Sequence, residues 1–368
     1  MSKSEEKDVF RELQEHLDKM PIGFPSTKSG SDIRVLKHLF TPEEAEIAML
    51  LKFGWERDLE TLDTIYKRVD DKSISKEELG NILDGMGRKG LIMTKLESDQ
   101  KYYGNAMLIV GIFEFQVNKL NKEFIKDFHD YFDEGWLPET LKVKGAQLRT
   151  IPVEKSIEFE QNVSKFDKVQ ELLKTTDGPY MVANCICKQL QDIEEQPCKV
   201  TTRREICMGF GHAAKLYIDQ GWGREITKEE AINILNKNQE EGLVFQADNS
   251  QKLTFLCSCC SCCCVGLSRF LKIPNPSKMM ITNYYAEVDA EFCTGCEICI
   301  EICPMEAIKL VNDIAKIKQK RCIGCGNCVA QCPSDAIKLH KKDKQFIPFP
   351  TMDDLFDKIM KRKIVQKK

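Results

Sequence analysis

The stretch CTGCEICIEICP, residues 293–304, and its echo CIGCGNCVAQCP, residues 322–333, decide how this chain is read. Cys293, Cys296 and Cys299 stand two residues apart, as do Cys322, Cys325 and Cys328. A fourth cysteine follows three residues later, Cys303 or Cys332, and then Pro304 or Pro333. The second run begins 29 residues after the first, and Ala307-Ile308-Lys309-Leu310 returns as Ala336-Ile337-Lys338-Leu339, so the segment is an internal duplication. Three thiolates at this spacing let one short loop cover three corners of an iron–sulfur cube. The fourth points away and, in a duplicated domain, serves the other cube. The pattern predicts one [4Fe–4S] cluster on Cys293, Cys296, Cys299 and Cys332, and a second on Cys322, Cys325, Cys328 and Cys303. Gly295, Gly324 and Gly326 are expected to let backbone amides approach the sulfides.

Residues 285–342 resemble a bacterial-type 2[4Fe–4S] ferredoxin domain. The resemblance implies a small βαββαβ module with two nearby clusters of low reduction potential. Zinc on CxxC pairs is the competing reading. Eight cysteines in a doubled run weigh against it.

The rest of the 368-residue chain is 42% hydrophobic and 30% charged, ordinary for a globular protein that buries a core. The start MSKSEEKDVF shows no secretory signal, and the apolar run 107–113 is too short to span a bilayer. All 18 cysteines fall from Cys185 onward, which in a reducing compartment means metal or redox chemistry rather than disulfides. The expected setting is an anaerobic cytoplasm.

The expected fold class is α+β, in four parts. Residues 1–140 hold an amphipathic stretch at 5–20, two capping boxes at Thr41–Glu44 and Ser75–Glu78, and apolar runs near 91–93 and 102–110. Helix, helix, helix, strand, turn, strand is the order of a winged-helix-like domain, with a long helical region at 113–134 to follow. Residues 141–270 are a Cys-rich middle domain expected to be mainly helical, with a third capping box at Thr227–Glu230. The segment opening there aligns without gaps on the one opening at Ser75, at an offset of 152. A linker, 271–287, leads into the ferredoxin domain, 285–342. The remainder, 343–368, is a basic tail carrying Lys344, Lys361, Arg362, Lys363, Lys367 and Lys368.

Ten cysteines remain in the middle: Cys185, Cys187, Cys198, Cys207, Cys257, Cys259, Cys260, Cys262, Cys263 and Cys264. Six within eight residues are too dense for buried small hydrophobes. Adjacent cysteines on extended chain point to opposite sides, so these six cannot all face one metal. The set suits one or two additional [4Fe–4S] clusters, with a zinc site as the alternative. Lys188, Lys199, Arg203 and Arg204 lie nearby and would favour thiolates. His212 is read as an ordinary helical histidine.

Electron transfer needs no acid–base constellation, and none is apparent. The primary expectation is an electron carrier or subunit serving a redox protein or oxidoreductase partner. A reductase with its site among the middle cysteines is a second reading. A redox-sensing DNA-binding regulator is a third. Residues 1–140 carry 20 Lys+Arg against 28 Asp+Glu, a poor charge for binding phosphates, so DNA is not the expected partner.

Overall fold

A computed structural model describes residues 8–69, 74–143, 147–157 and 167–366. The chain divides into two compact units, Met1–Gly145 with Asp353–Lys368, and Ala146–Met352.

In the first unit, helix Val9–Leu17 starts where the Asp8 carboxylate accepts from the Phe10 amide at 3.0 Å, and it buries Phe10, Leu13 and Leu17. Helices Ser31–Leu39, Pro42–Met49, Leu62–Tyr66 and Lys76–Lys89 follow. The capping boxes at Thr41 and Ser75 both form in full. Strands β1 (Glu60–Thr61), β2 (Ile92–Glu97) and β3 (Gln100–Asn105) make a sheet in the order β1-β3-β2. Ser98 and Asp99 turn between β2 and β3 with φ of 49° and 61°.

The long helix expected at 113–134 is broken. A 3₁₀ turn, Glu114–Gln116, precedes helix Lys122–Tyr131, which starts on the Asn121 side chain. Asn118 adopts φ 65°, which interrupts any helix crossing it. The expected basic tail is also corrected. Helix Met352–Gln366 buries Leu355, Phe356 and Ile359 in the first unit, because apolar residues at helical spacing sit among its cations. Lys361 and Arg362 are exposed, while Lys367 and Lys368 lie outside the described residues.

The second unit adds to the expected helices a sheet that the mainly helical expectation did not include. Strands β4 (Leu148–Ile151), β5 (Tyr180–Asn184), β6 (Glu205–Phe210), β7 (Arg224–Ile226), β8 (Val244–Asp248) and β9 (Phe255–Cys259) form one antiparallel sheet, ordered β4-β8-β9-β6-β5-β7. These strands are short, and β8 is buried at every residue, so it shows no alternation. Helix Lys228–Glu240 sets Ala231, Ile234 and Leu235 into the core with Val182, Phe210, Phe245 and Leu256. Its Thr227 cap forms, but the reciprocal half of the expected box does not: Glu230 is engaged by Arg224 at 2.6 Å instead.

The last part of this unit holds β10 (Tyr284–Val288), helix Ile298–Glu301, β11 (Ile308–Val311), β12 (Ile314–Ile317), helix Asn327–Ala330 and β13 (Ile337–Lys341). β10 pairs with β13 and β11 with β12, the βαββαβ order expected. The segments 141–270 and 285–342, expected as separate domains, share this unit. Val153 N–H donates to Cys325 O at 2.9 Å, and Arg321 donates to Leu271 O at 2.9 Å. Among the described residues no helix is long and apolar enough to cross a membrane.

Candidate iron–sulfur centres

Two cavities open within the duplicated segment. One is lined by Cys293, Cys296, Cys299 and Cys332. The other is lined by Cys322, Cys325, Cys328 and Cys303. Each takes three cysteines from one run and the fourth from the other. Amides of Ala315, Ala307 and Ala286 donate to the sulfurs of Cys293, Cys303 and Cys322 at 3.3–3.4 Å, holding those thiolates in place.

The glycines act sterically. Gly324 has φ 64°, and a Cβ there would stand 2.3 Å from Tyr284 O. Gly295 has φ 67°, with Asp313 O 2.7 Å from the same position. Only glycine permits the backbone to pass this close.

Burial pushes the Cys299 thiol up to about 11 and Cys325 to about 12, with neighbouring cysteines adding to both. Such thiols ionise when a metal takes their charge, so loading releases protons. The two cavities differ in depth. Cys325 and Cys328 are buried, whereas Cys296 is exposed and neighbouring Phe292 is 60% exposed.

The ten middle cysteines separate into two groups. Cys198, Cys260, Cys262 and Cys263 have all four sulfurs within 4.8 Å of one another. The closest contacts run from 3.4 Å (Cys260–Cys262) through 3.6 Å (Cys198–Cys260 and Cys262–Cys263) to 3.9 Å (Cys198–Cys262). Four thiolates about 2.3 Å from one tetrahedral ion stand roughly 3.8 Å apart, so this quartet can hold a single ion. Lys188, fully buried on helix Ile186–Ile193, donates from Nζ to Cys260 Sγ at 2.9 Å and to Cys198 Sγ at 3.2 Å. Burial alone would lower its pKa. Attraction to Cys260 and its neighbours outweighs that and raises it, so Lys188 stays charged.

The remaining six, Cys185, Cys187, Cys264, Cys259, Cys257 and Cys207, are joined by thiol–thiol interactions in that order and back to Cys185. The direction of the pKa shift alternates around this ring. Cys257 is held down to about 5 by the thiols of Cys207 and Cys259, and Cys185 and Cys264 are also held low by their ring neighbours. Cys187, Cys207 and Cys259 are held high by the same neighbours.

The backbone explains the sorting. Met208 pairs with Leu256 in antiparallel register, which sets Cys207 on β6 beside Cys257 on β9, and Cys259 shares the face of Cys257. Cys259 and Cys260, at the end of β9, go to different groups, as adjacent residues on extended chain do; the turn over 261–263 brings Cys262 and Cys263 together in the quartet. Of the nearby cations singled out, Arg203 pairs with Glu241 and Arg204 with Asp192, both at 2.6 Å, and Lys188 makes the thiol contacts. His212 lies on helix Gly211–Asp219, and the quartet assembles without it.

Cys259 and Cys264 pack against the apolar cluster that contains Cys325, Met305 and Ile323. The middle cysteines therefore adjoin the deeper of the two cavities.

Comparison with known proteins agrees with this chemistry. Residues 285–333 match the family model of the 4Fe-4S dicluster domain, which marks that segment as an iron–sulfur domain. Over 74 residues the chain is 32% identical to one of the subunits of the ion-translocating oxidoreductase complex of Methanosarcina acetivorans. That stretch is 17% of this chain and 28% of the relative, so the chain spans less than a third of that protein's length.

Proposed function

We propose that the chain is a subunit that carries single electrons for a redox complex. Electrons enter through the middle cysteine sites, pass to the cluster on Cys322, Cys325, Cys328 and Cys303, and leave through the cluster on Cys293, Cys296, Cys299 and Cys332. One observation carries the reading: the two four-cysteine cavities differ in depth, with the inner set adjoining the middle cysteines and the outer set reaching the surface at Cys296. Exposed Phe292 offers an apolar contact for a redox partner at that exit. The similarity to a member of an ion-translocating oxidoreductase complex supports an assembly of this general kind.

The first unit is read as a winged-helix-like docking module rather than a DNA reader. On helix Lys76–Lys89, the one placed to act as a recognition helix, Lys76 pairs with Asp63 and Lys89 with Glu44, which leaves less positive charge for phosphates.

Iron and sulfide analysis of anaerobically purified protein, with EPR of the reduced form, tests the electron-transfer reading. Two magnetically interacting cubanes, about eight irons, are expected in the C-terminal segment. Zinc there, or cubanes that no one-electron donor reduces, would overturn it. Salt-sensitive submicromolar binding to DNA would overturn the docking role.

A further inference from the structure

We infer that Cys198, Cys260, Cys262 and Cys263 hold a single zinc ion in a closed tetrahedral shell, a structural site beside the iron–sulfur centres. The inference stands on the geometry of the quartet and does not depend on the electron-transfer reading.

Spacing decides how many metal atoms fit. All four sulfurs lie within 4.8 Å of one another, and the closest pairs stand at 3.4, 3.6, 3.6 and 3.9 Å. One ion with Zn–S bonds of about 2.3 Å sets its thiolates roughly 3.8 Å apart, within that range. A cubane needs its thiolates outside a core of irons and sulfides. Sulfurs in mutual contact leave no room for that core, nor for a two-iron one. The duplicated segment shows the other arrangement in the same chain, since there each set of four cysteines lines a cavity.

Ligand set and charge select the metal. Four thiolates fill a tetrahedral shell and leave no open position for a substrate, which is the composition of a structural zinc site. The same ligands bind zinc more tightly than ferrous iron. Four thiolates around a divalent ion leave a double negative charge. The Lys188 ammonium, 2.9 Å from Cys260 Sγ and 3.2 Å from Cys198 Sγ, offsets half of it without taking a ligand position. The Val200 amide donates to Cys198 Sγ at 3.4 Å, a contact of the kind that orients a metal-bound thiolate.

The topology shows what the ion would do. Cys198 lies between helix Ile186–Ile193 and β6, and the other three follow directly on β9. β6 and β9 pair at Met208–Leu256 and Gly209–Phe255. Beyond that pairing the ion ties the loop before β6 to the turn after β9. Contact with the inner cavity runs through Cys259 and Cys264, neither of them in the quartet. A redox-inert ion here therefore leaves the proposed electron path uninterrupted.

The test uses the full chain, purified anaerobically from cells supplied with both iron and zinc, with the variants Cys198→Ser, Cys260→Ser, Cys262→Ser and Cys263→Ser. Zinc, iron and sulfide are counted, and EPR of the reduced cubanes serves as an internal control. The expected result is about one zinc per unsubstituted chain, lost from each variant while iron, sulfide and the cubane signals match the parent. Amide exchange at the end of β9 should speed up in the same variants, and unchanged exchange would overturn the structural role. Iron found at the site in place of zinc, or iron and sulfide lost together, would overturn the inference. So would a parent chain without zinc, or full zinc in any of the four variants.

Should the variants fail to fold, zinc X-ray absorption of the unsubstituted chain decides. Four sulfurs at about 2.3 Å are expected, and nitrogen or oxygen in the shell would overturn the assignment.

Discussion

Lys188 Nζ stands 2.9 Å from Cys260 Sγ, a buried cation against a thiol that belongs to the four-sulfur group. Such a charge offsets the anionic metal–thiolate unit where water cannot. Lys188→Met should weaken metal retention at the quartet on the order of 100-fold, the Coulomb effect of one charge at contact range in a partly screened interior. Lys188→Arg should recover much of the loss. Competition with a graded chelator series measures both, and unchanged retention in Lys188→Met would show the lysine to be a packing residue only.

Cys332 lies in the second cysteine run but lines the cavity of the first. Cys332→Ala should therefore remove the cluster held by Cys293, Cys296 and Cys299. Cys303→Ala should remove the one held by Cys322, Cys325 and Cys328. Each variant should lose about four irons and abolish the magnetic interaction between the cubanes in reduced-state EPR. Loss of the cluster local to each substituted run would mean that the ligands are not crossed.

The duplicated run was legible because its ligands are local, three of every four within one short loop. The middle sites were not, because their ligands are brought together by the sheet. Cys207 and Cys257 are 50 residues apart in sequence and become neighbours through the β6–β9 register. Alternation at Cys257 and Cys259 is a local signal, and it correctly separates Cys259 from Cys260. The partners Cys185 and Cys198 carry no such mark. The sheet itself was hidden because its strands are short and β8 is buried on both faces. Capping boxes read well in the first unit. The one at Thr227 was half-formed because Arg224, three residues upstream, competes for Glu230.

Gly324→Ala should cost about 2 kcal/mol or more and lose the inner cluster first. The residue has φ 64°, and an added Cβ meets Tyr284 O. Gly221 has φ 68° with nothing within 4 Å, so Gly221→Ala isolates the backbone penalty, about 1 kcal/mol. Chemical denaturation with iron analysis distinguishes them. Equal effects would remove close packing as the reason for glycine at 324.

His16 makes the first unit sensitive to acid. Burial lowers its pKa below the ordinary 6.5, although its contact with Leu51 O at 2.8 Å works the other way. The unfolded chain then binds more protons than the folded one below pH 6.5, and stability falls as pH drops through that value. Hydrogen exchange in helix Val9–Leu17 should speed up on acidification below this point, and His16→Gln should flatten the dependence. An identical pH profile in the variant would exclude the histidine as its source.

The helix over 352–366 is structural, whatever its lysines suggest. Phe356 is 2% exposed and meets Phe53 edge-on at 5.3 Å and Trp55 at 5.9 Å. Phe356→Ala should destabilise the first unit by about 3 kcal/mol, the usual cost of emptying a buried aromatic site. Lys361→Ala and Arg362→Ala, at exposed positions, should change stability by less than about 0.5 kcal/mol. Urea unfolding followed by tryptophan fluorescence in a Trp222→Phe background reads this unit, since Trp55 and Trp136 lie in it and Trp222 lies in the other. A Phe356→Ala midpoint equal to that of the parent chain would return the segment to the role of a solvated tail.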